Sequence, residues 1–496
     1  MPYLPEELLV RIFDELRMVG EDQTNVADKA ILHTLRNATA ASKTLRRAAQ
    51  PAFFRTINLR VVDYERIPLL LDQIVTQPSL GSMIRRVNIE SFDTEKENVH
   101  HSAGYAYPLP RTERKVSNAT IKYVQTLHAS SAWKKRASKE LEEGREDANF
   151  SLLVCLCCAS VEVIDAGMPY SCEFSLFVAM FQDALDGYSL SAVDQRGKAF
   201  ASLHTVKFHH ADTEMATDLA KLGPVLQQPS VRTLQGHALE FPSRESDLSA
   251  RLTCSLVHIE LEFSILDADG MRALLMMCPR LQSFKIHWGE SCVGNVEELD
   301  FEEMGRVLST HGLHLQRLLL DTTDAFQDES AGLPIGSLCS LEDLQDLTLQ
   351  FKVLFGEGED DDDEDSSKLA EPGYLVNTLP SSLQALTLVE PSSIEDHETA
   401  DERLLELMTS SWHQELKLVR VLRVEPFLAD LVGSGWSMFC FKNAIYERSR
   451  WFVLERDGSV AVPGLREEPL VYTIGYPNYV SRVAVTADEN RKAADA

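Results

Sequence analysis

From Phe54 onward the chain repeats one phrase: an apolar residue, two residues of any kind, an apolar residue, one residue, and an apolar residue. It reads Phe54, Ile57, Leu59; Ile84, Val87, Ile89; Val161, Ile164, Ala166; and Leu203, Val206, Phe208. It continues as Leu256, Ile259, Leu261; Leu281, Phe284, Ile286; and Leu315, Leu318, Leu320. Leu344, Leu347, Leu349; Leu383, Leu386, Leu388; and Val419, Leu422, Val424 complete it. Val231 and Leu234 open the same phrase, which breaks at Gly236. The alternation that closes each phrase predicts a short strand with one buried face, and the leading apolar residue anchors the turn into it.

Between the phrases, residues 213–226, 268–278, 301–311 and 400–408 carry apolar positions three or four apart, which predicts helices. A strand followed by a helix, recurring at roughly 25 to 40 residues, is the mark of an α/β leucine-rich-repeat solenoid, a horseshoe of stacked repeats. The competing reading is an ordinary α/β fold with a parallel sheet.

Ahead of the repeats lie three helical patterns. Leu8, Leu9, Ile12, Phe13 and Leu16 share one helical face, with Pro5 at the first helical position and Glu6 and Glu7 against the positive end of the helix dipole. Ala27, Ala30, Ile31, Leu35 and Ala38 mark a second helix. Ser42 caps a third, through Leu45 and Ala49, which Pro51 is expected to stop. A unit of about fifty residues buries too little surface to stand alone, so a face this apolar asks for a partner.

The ordered blocks Leu4-Pro5-x-Glu7-Leu8-Leu9-x-x-Ile12-Phe13-x-x-Leu16, Ala41-Ser42-Lys43-Thr44-Leu45-Arg46 and Pro51-Ala52-Phe53-Phe54-Arg55-Thr56-Ile57-Asn58-Leu59 resemble an F-box of fungal F-box and leucine-rich-repeat proteins. The resemblance implies that Leu4, Pro5, Leu8, Leu9, Ile12, Phe13 and Leu16, with Leu35 and Leu45 behind them, grip the Skp-type adaptor subunit of an SCF ubiquitin ligase, and through it the cullin and RING subunits. Gly20 to Asn25 depart from it, predicting a longer and more acidic first loop. The alternative is a helical cap on a repeat scaffold without a ligase. The implied organisation is an F-box-like module at 1–52, a solenoid at 53–440 interrupted near 93–150 and 356–372, a capping hairpin segment at 441–485, and a disordered tail at 486–496.

In the first insertion Ile121, Val124, Leu127 and Trp133 predict a helix, and Lys134, Lys135 and Arg136 read as a solvated face. Phe174 to Leu185 reads as a core-packed helix. The acidic run Glu357 to Asp365 repels itself and is expected to be a disordered loop without the ligand spacing of a calcium site. Trp451 to Leu454 and Val460 to Val462, flanking Arg456-Asp457-Gly458-Ser459, predict a closing hairpin.

Charge narrows the function. A formal net charge of −28 argues against nucleic-acid binding. No apolar run is long enough for a membrane span, and nine cysteines without framework spacing suggest cytosol or nucleus. Cys155, Cys157 and Cys158 read as buried free thiols in an apolar helix. His209 and His210, neighbours on a strand, point to opposite faces and make a poor metal pair, even with Asp212 close.

No phosphate loop, nucleophile elbow or zinc-protease pair occurs, so neither enzyme activity nor a cofactor is expected. The strand residues between the buried ones should line the concave face and meet a protein substrate. They are Lys207 and His209, Glu260 and Glu262, Lys285 and His287, Leu319 and Asp321, Thr348 and Gln350, Thr387, and Arg423 and Glu425.

Overall fold

The computed structural model describes residues 5–21, 25–59, 65–89, 114–168, 175–192, 199–210, 216–241, 253–289, 299–322, 334–356, 372–389, 397–423, 436–442 and 450–456. Leu4, Tyr105 to Pro110, Asp212, the acidic run, Glu425 and the chain beyond residue 456 lie outside them. The chain forms two compact units, one of residues 1–281 with 288–296, the other of residues 282–287 with 297–496.

The first unit opens with helices Glu6–Glu21 (α1), Asn25–Ala41 (α2) and Lys43–Phe54 (α3). Pro5 stands just before α1, its carbonyl accepting from the Leu8 and Leu9 amides at 3.1 and 3.2 Å. It therefore caps the helix from outside rather than forming its first residue. The expected first loop is short, because α1 runs to Glu21 and α2 starts at Asn25. Ser42 caps α3 as expected, accepting from the Leu45 amide at 3.1 Å. Pro51 does not end α3, which continues to Phe54. Burial of Ala48, Ala49 and Ala52 against Phe13, Ile31 and Leu35 carries it past the proline.

One residue separates α3 from the strand Thr56–Leu59 (β1), which pairs in parallel with Arg86–Ile89 (β2). Between them the helix Ile67–Thr76 (α4) buries Ile67, Leu71 and Ile74. Val163–Met168 (β3), Thr205–His210 (β4), Thr233–His237 (β6) and His258–Glu262 (β8) extend the parallel ladder. Thr217–Asp218 (β5), Leu239–Phe241 (β7) and Ile265–Leu266 (β9) form a separate small parallel sheet.

The register fixes the repeat. Ile57, Val87, Ile164, Val206, Leu234 and Ile259 lie in one row across the six strands, and Leu59, Ile89, Ala166, Phe208, Gly236 and Leu261 in the next. The Val231 phrase does not break at Gly236. A Cβ there would lie 2.5 Å from Leu239 Cδ1 and 2.9 Å from Leu261 Cδ2, so two neighbouring leucines already fill the space of the missing side chain.

In the first insertion, helices Asn118–Thr126 and Ser131–Glu143 replace the one expected, since the turn at residues 127–130 divides the pattern, and Glu146–Leu156 is the apolar helix expected to run into Cys155. Trp133 is buried with its indole N–H on the Leu176 carbonyl at 3.1 Å. Arg136 pairs with Glu140 at 2.7 Å, and Lys134 bonds the Leu127 carbonyl at 3.3 Å, so this basic run is partly committed within the chain. Leu176–Leu185 is a core-packed helix. The helix expected over 213–226 is instead β5, a turn of 3-10 helix at Leu219–Leu222 and a short helix Gly223–Leu226. Asp218 caps the 3-10 turn through the Ala220 amide at 2.8 Å, and Pro224 stands in the first turn of the short helix that follows.

In the second unit, Ser283–His287 (β10), Arg317–Asp321 (β11), Asp346–Gln350 (β12), Ala385–Val389 (β13) and Leu418–Arg423 (β14) form a parallel ladder. Helices Phe301–His311 and His397–Thr409 lie where the periodicity put them. The closing hairpin is built differently from expectation. Trp436–Lys442 (β15) and Arg450–Arg456 (β16) pair antiparallel, and β16 lies against β14. Trp451 to Leu454 therefore belongs to the second strand of the hairpin, whose partner precedes it.

Candidate protein-binding surfaces

The first candidate surface is α1. Its apolar residues divide into two sets. Phe13 is buried with Ile31 and Leu35, and Leu9, Leu16 and Leu45 pack against that cluster. Leu8 and Ile12, one turn apart, remain 46% and 51% exposed, with Pro5 exposed beside them. The apolar periodicity does not separate the two sets, because both lie on one broad stripe. Arg47 of α3 reaches Glu6 at 3.1 Å and ties the start of α1 to α3.

The second candidate is the sheet face carrying the residues between the buried ones. In the first unit it is partly exposed, with Asn58 and Glu262 in solvent and the others half-buried. Asn58, Asn88, Asp165, Lys207, Gln235 and Glu260 form one row across the strands, and His209, His237 and Glu262 stand beside it. Asn88 donates to Asn58 at 2.7 Å, His209 Nδ1 lies 3.5 Å from Asp165, and Gln235 donates to Glu260 at 2.8 Å. Lys207, His209, Glu260 and Glu262 are thus brought together as expected neighbours. Asn58, Asn88, Asp165, Gln235 and His237 join them although they were not singled out from the sequence. For Gln235 and His237 the apparent break at Gly236 hid the strand, while the other three follow from the same phrase as their neighbours.

In the second unit the same face behaves differently. Lys285 and His287 are half-buried, as Lys207 and His209 are, with His287 Nε2 4.0 Å from Asp321. Thr348, Gln350 and Thr387, expected on an accessible face, are buried, Gln350 and Thr387 completely. Gln350 is committed to Thr322 and, at 3.4 Å, to Asp321. Burial also raises the Asp346 carboxyl above its ordinary range, against the pull of Arg420, Arg317 and Lys285.

The last repeat is shifted by three residues from the phrase read in the sequence. Val419 and Val421 pair with Leu386 and Leu388, and buried Leu416 takes the leading place. Arg420, not Arg423, stands opposite Thr387. Leu418 and Leu422 are buried as well as Val419 and Val421, so this strand is apolar on both faces and its alternation disappears.

The sequence profile of the leucine-rich repeat domain matches residues 64–445. The chain belongs to that family. No curated protein matches it. Leucine-rich repeat domains are protein-interaction modules, and the repeats account for the one-strand-per-repeat parallel ladders described above. Among the described residues no cluster of three metal-ligating side chains occurs, and no helix is long and apolar enough to cross a membrane.

Proposed function

We propose that this leucine-rich repeat protein is the substrate-recognition adaptor of an SCF-type ubiquitin ligase, working in cytoplasm or nucleus. In this reading α1–α3 hold the Skp-type adaptor, and through it cullin and RING subunits, while the repeats hold a protein substrate. The observation that supports it most is the division of α1. Phe13 and Leu35 close the module's own core, whereas Leu8 and Ile12 stay on the surface, where large apolar side chains one turn apart suit a partner. The chain would supply no catalytic group; holding a substrate beside a ubiquitin-charged enzyme raises its effective concentration.

For the substrate, the face of the first unit is the better surface, since none of its row of amide, acidic and basic side chains is buried whereas Thr348, Gln350 and Thr387 are. Lys207, His209, Glu260 and Glu262 remain the residues proposed to meet it, with Lys285 and His287 in the second unit.

The second reading is a repeat scaffold in which α1–α3 only cap the first strand. One residue between α3 and β1 favours it. The two readings separate on Leu8→Asp with Ile12→Asp. If the ligase reading holds, the native chain co-purifies with the Skp-type adaptor and the double variant, still folded by circular dichroism, does not. Absence of the adaptor from the native chain's complexes leaves the scaffold.

A further inference from the structure

The residue that follows β8 is Phe263, at φ 48°, in the left-handed region that a bulky side chain rarely enters. One repeat earlier Ala238 holds the matching place at φ 54°, directly after His237, the register partner of Glu262. The Ala238 methyl group is completely buried. The Phe263 ring is only half-buried.

Backbone strain of this kind persists where the surroundings over-determine it. The Glu262 carbonyl accepts from the Ala238 amide at 2.9 Å and from the Ser264 hydroxyl at 2.9 Å, and that hydroxyl accepts from the Leu239 amide at 3.2 Å. These bonds pin the chain on both sides of Phe263. Its ring centre lies 5.3 Å from that of His237, which puts the ring on the sheet face that carries His237 and Glu262. Gly289 leaves room for it, since a Cβ there would lie 2.9 Å from Phe263 Cε1 and closer still to Cδ1.

Two carboxylates accompany the ring. Glu262 immediately precedes it and is exposed, while Glu260, on the same face by the period of two, is half-buried and accepts from Gln235 at 2.8 Å. Neither β6 nor β8 carries a lysine or arginine.

We propose that this corner of the first unit's sheet face, formed by Phe263, His237, Glu260 and Glu262, takes an arginine or lysine side chain of the protein substrate. The proposal rests on the reading that this face meets the substrate, and adds what the face recognises. A cation over an aromatic ring is drawn to the negative face of the ring, and the carboxylates beside it supply opposite charge. An acidic side chain is repelled here, and a purely apolar one would desolvate the carboxylates without pairing them.

The test titrates the full-length chain with a fluorescein-labelled peptide of alternating arginine and serine, read by fluorescence anisotropy. The same peptide with citrulline in place of arginine keeps the shape and removes the charge, and should bind far more weakly. Phe263→Leu removes the ring and keeps an apolar side chain, and Glu262→Gln removes one exposed charge; each, still folded by circular dichroism, should lower the affinity about five-fold. Glu142→Gln, at an exposed acid of the helix Ser131–Glu143, should leave it unchanged and so separates the corner from the general pull of a chain of net charge −28. Either corner variant binding like the native chain overturns the proposal. So does a citrulline peptide that binds equally well, or an equal loss in Glu142→Gln. Adaptor co-purification is read at Leu8 and Ile12 and does not enter this measurement, so the ligase reading and this one fail separately.

Discussion

The guanidinium carbon of Arg456 lies 5.1 Å from the centre of the Trp436 ring, joining the two strands of the closing hairpin by a cation–π contact. The same guanidinium donates to the carbonyls of Gln414 at 2.6 Å, His413 at 3.2 Å and Met408 at 3.3 Å, and the Trp436 indole N–H also donates to Met408, at 3.3 Å. The pair thus satisfies the backbone where the helix His397–Thr409 ends and the chain turns toward β14. Arg456→Ala should destabilise this end by about 1–3 kcal/mol, since it removes charge-assisted bonds to carbonyls with few substitutes. Hydrogen exchange is the measurement, with faster exchange expected in β14, β15 and β16 and little change in β1 to β4.

Asp147 gives the chain a pH dependence. Its carboxylate accepts from the Leu176 amide at 2.6 Å, the Phe177 amide at 3.2 Å and the Ser151 hydroxyl at 3.2 Å, capping the helix Leu176–Leu185. Burial nevertheless pushes its pKa up to about 6, with the two backbone amides opposing. Between the unfolded value near 3.8 and about 6 the folded chain holds more protons here than the unfolded chain. This group's contribution to stability therefore rises as pH falls through about 6 and is least favourable above it. Urea midpoints taken between pH 7.5 and pH 5 should show that rise in the native chain, and Asp147→Asn should flatten it.

Asn149, two residues after Asp147 in the helix Glu146–Leu156, is buried with neither its amide oxygen nor its amide nitrogen hydrogen-bonded. Leaving such a group without partners costs about 1–3 kcal/mol. Asn149→Leu, of similar volume, is expected to raise the urea midpoint. A lowered midpoint would show that the amide has a structural use.

Gly236 and Ala238 should respond in opposite directions. Gly236→Ala forces a methyl group against Leu239 and Leu261 in a filled core, an overpacking cost of about 1–3 kcal/mol. Ala238 sits at φ 54°, in the left-handed region, where glycine carries no steric penalty. Ala238→Gly should stabilise by up to about 1 kcal/mol. Thermal unfolding of the two variants checks both signs.

Much of the fold can be read directly from the order of residues. The leading apolar residues and the two alternating positions after them locate the ladder strands β1 to β4, β8 and β10 to β13, because a strand half-buried in a parallel ladder needs apolar side chains at a period of two. The family match over residues 64–445 agrees with that pattern. The same periodicity misplaces β14 by three residues, since Leu418 and Leu422 are buried along with Val419 and Val421 and no alternation is left to read.

What a local pattern cannot express is which side of a surface the rest of the molecule covers. Leu8 and Phe13 are alike in sequence, yet packing of α2 and α3 buries Phe13 and leaves Leu8 in solvent. Lys207 and Thr387 occupy the same place in their repeats, yet Lys207 reaches solvent and Thr387 is buried. The sequence by itself set where most strands of the parallel ladders lie and which of their residues point away from the repeat core. Contacts between residues distant in the chain decided which of those are available to a partner, because burial is a property of the assembled neighbours and not of the strand.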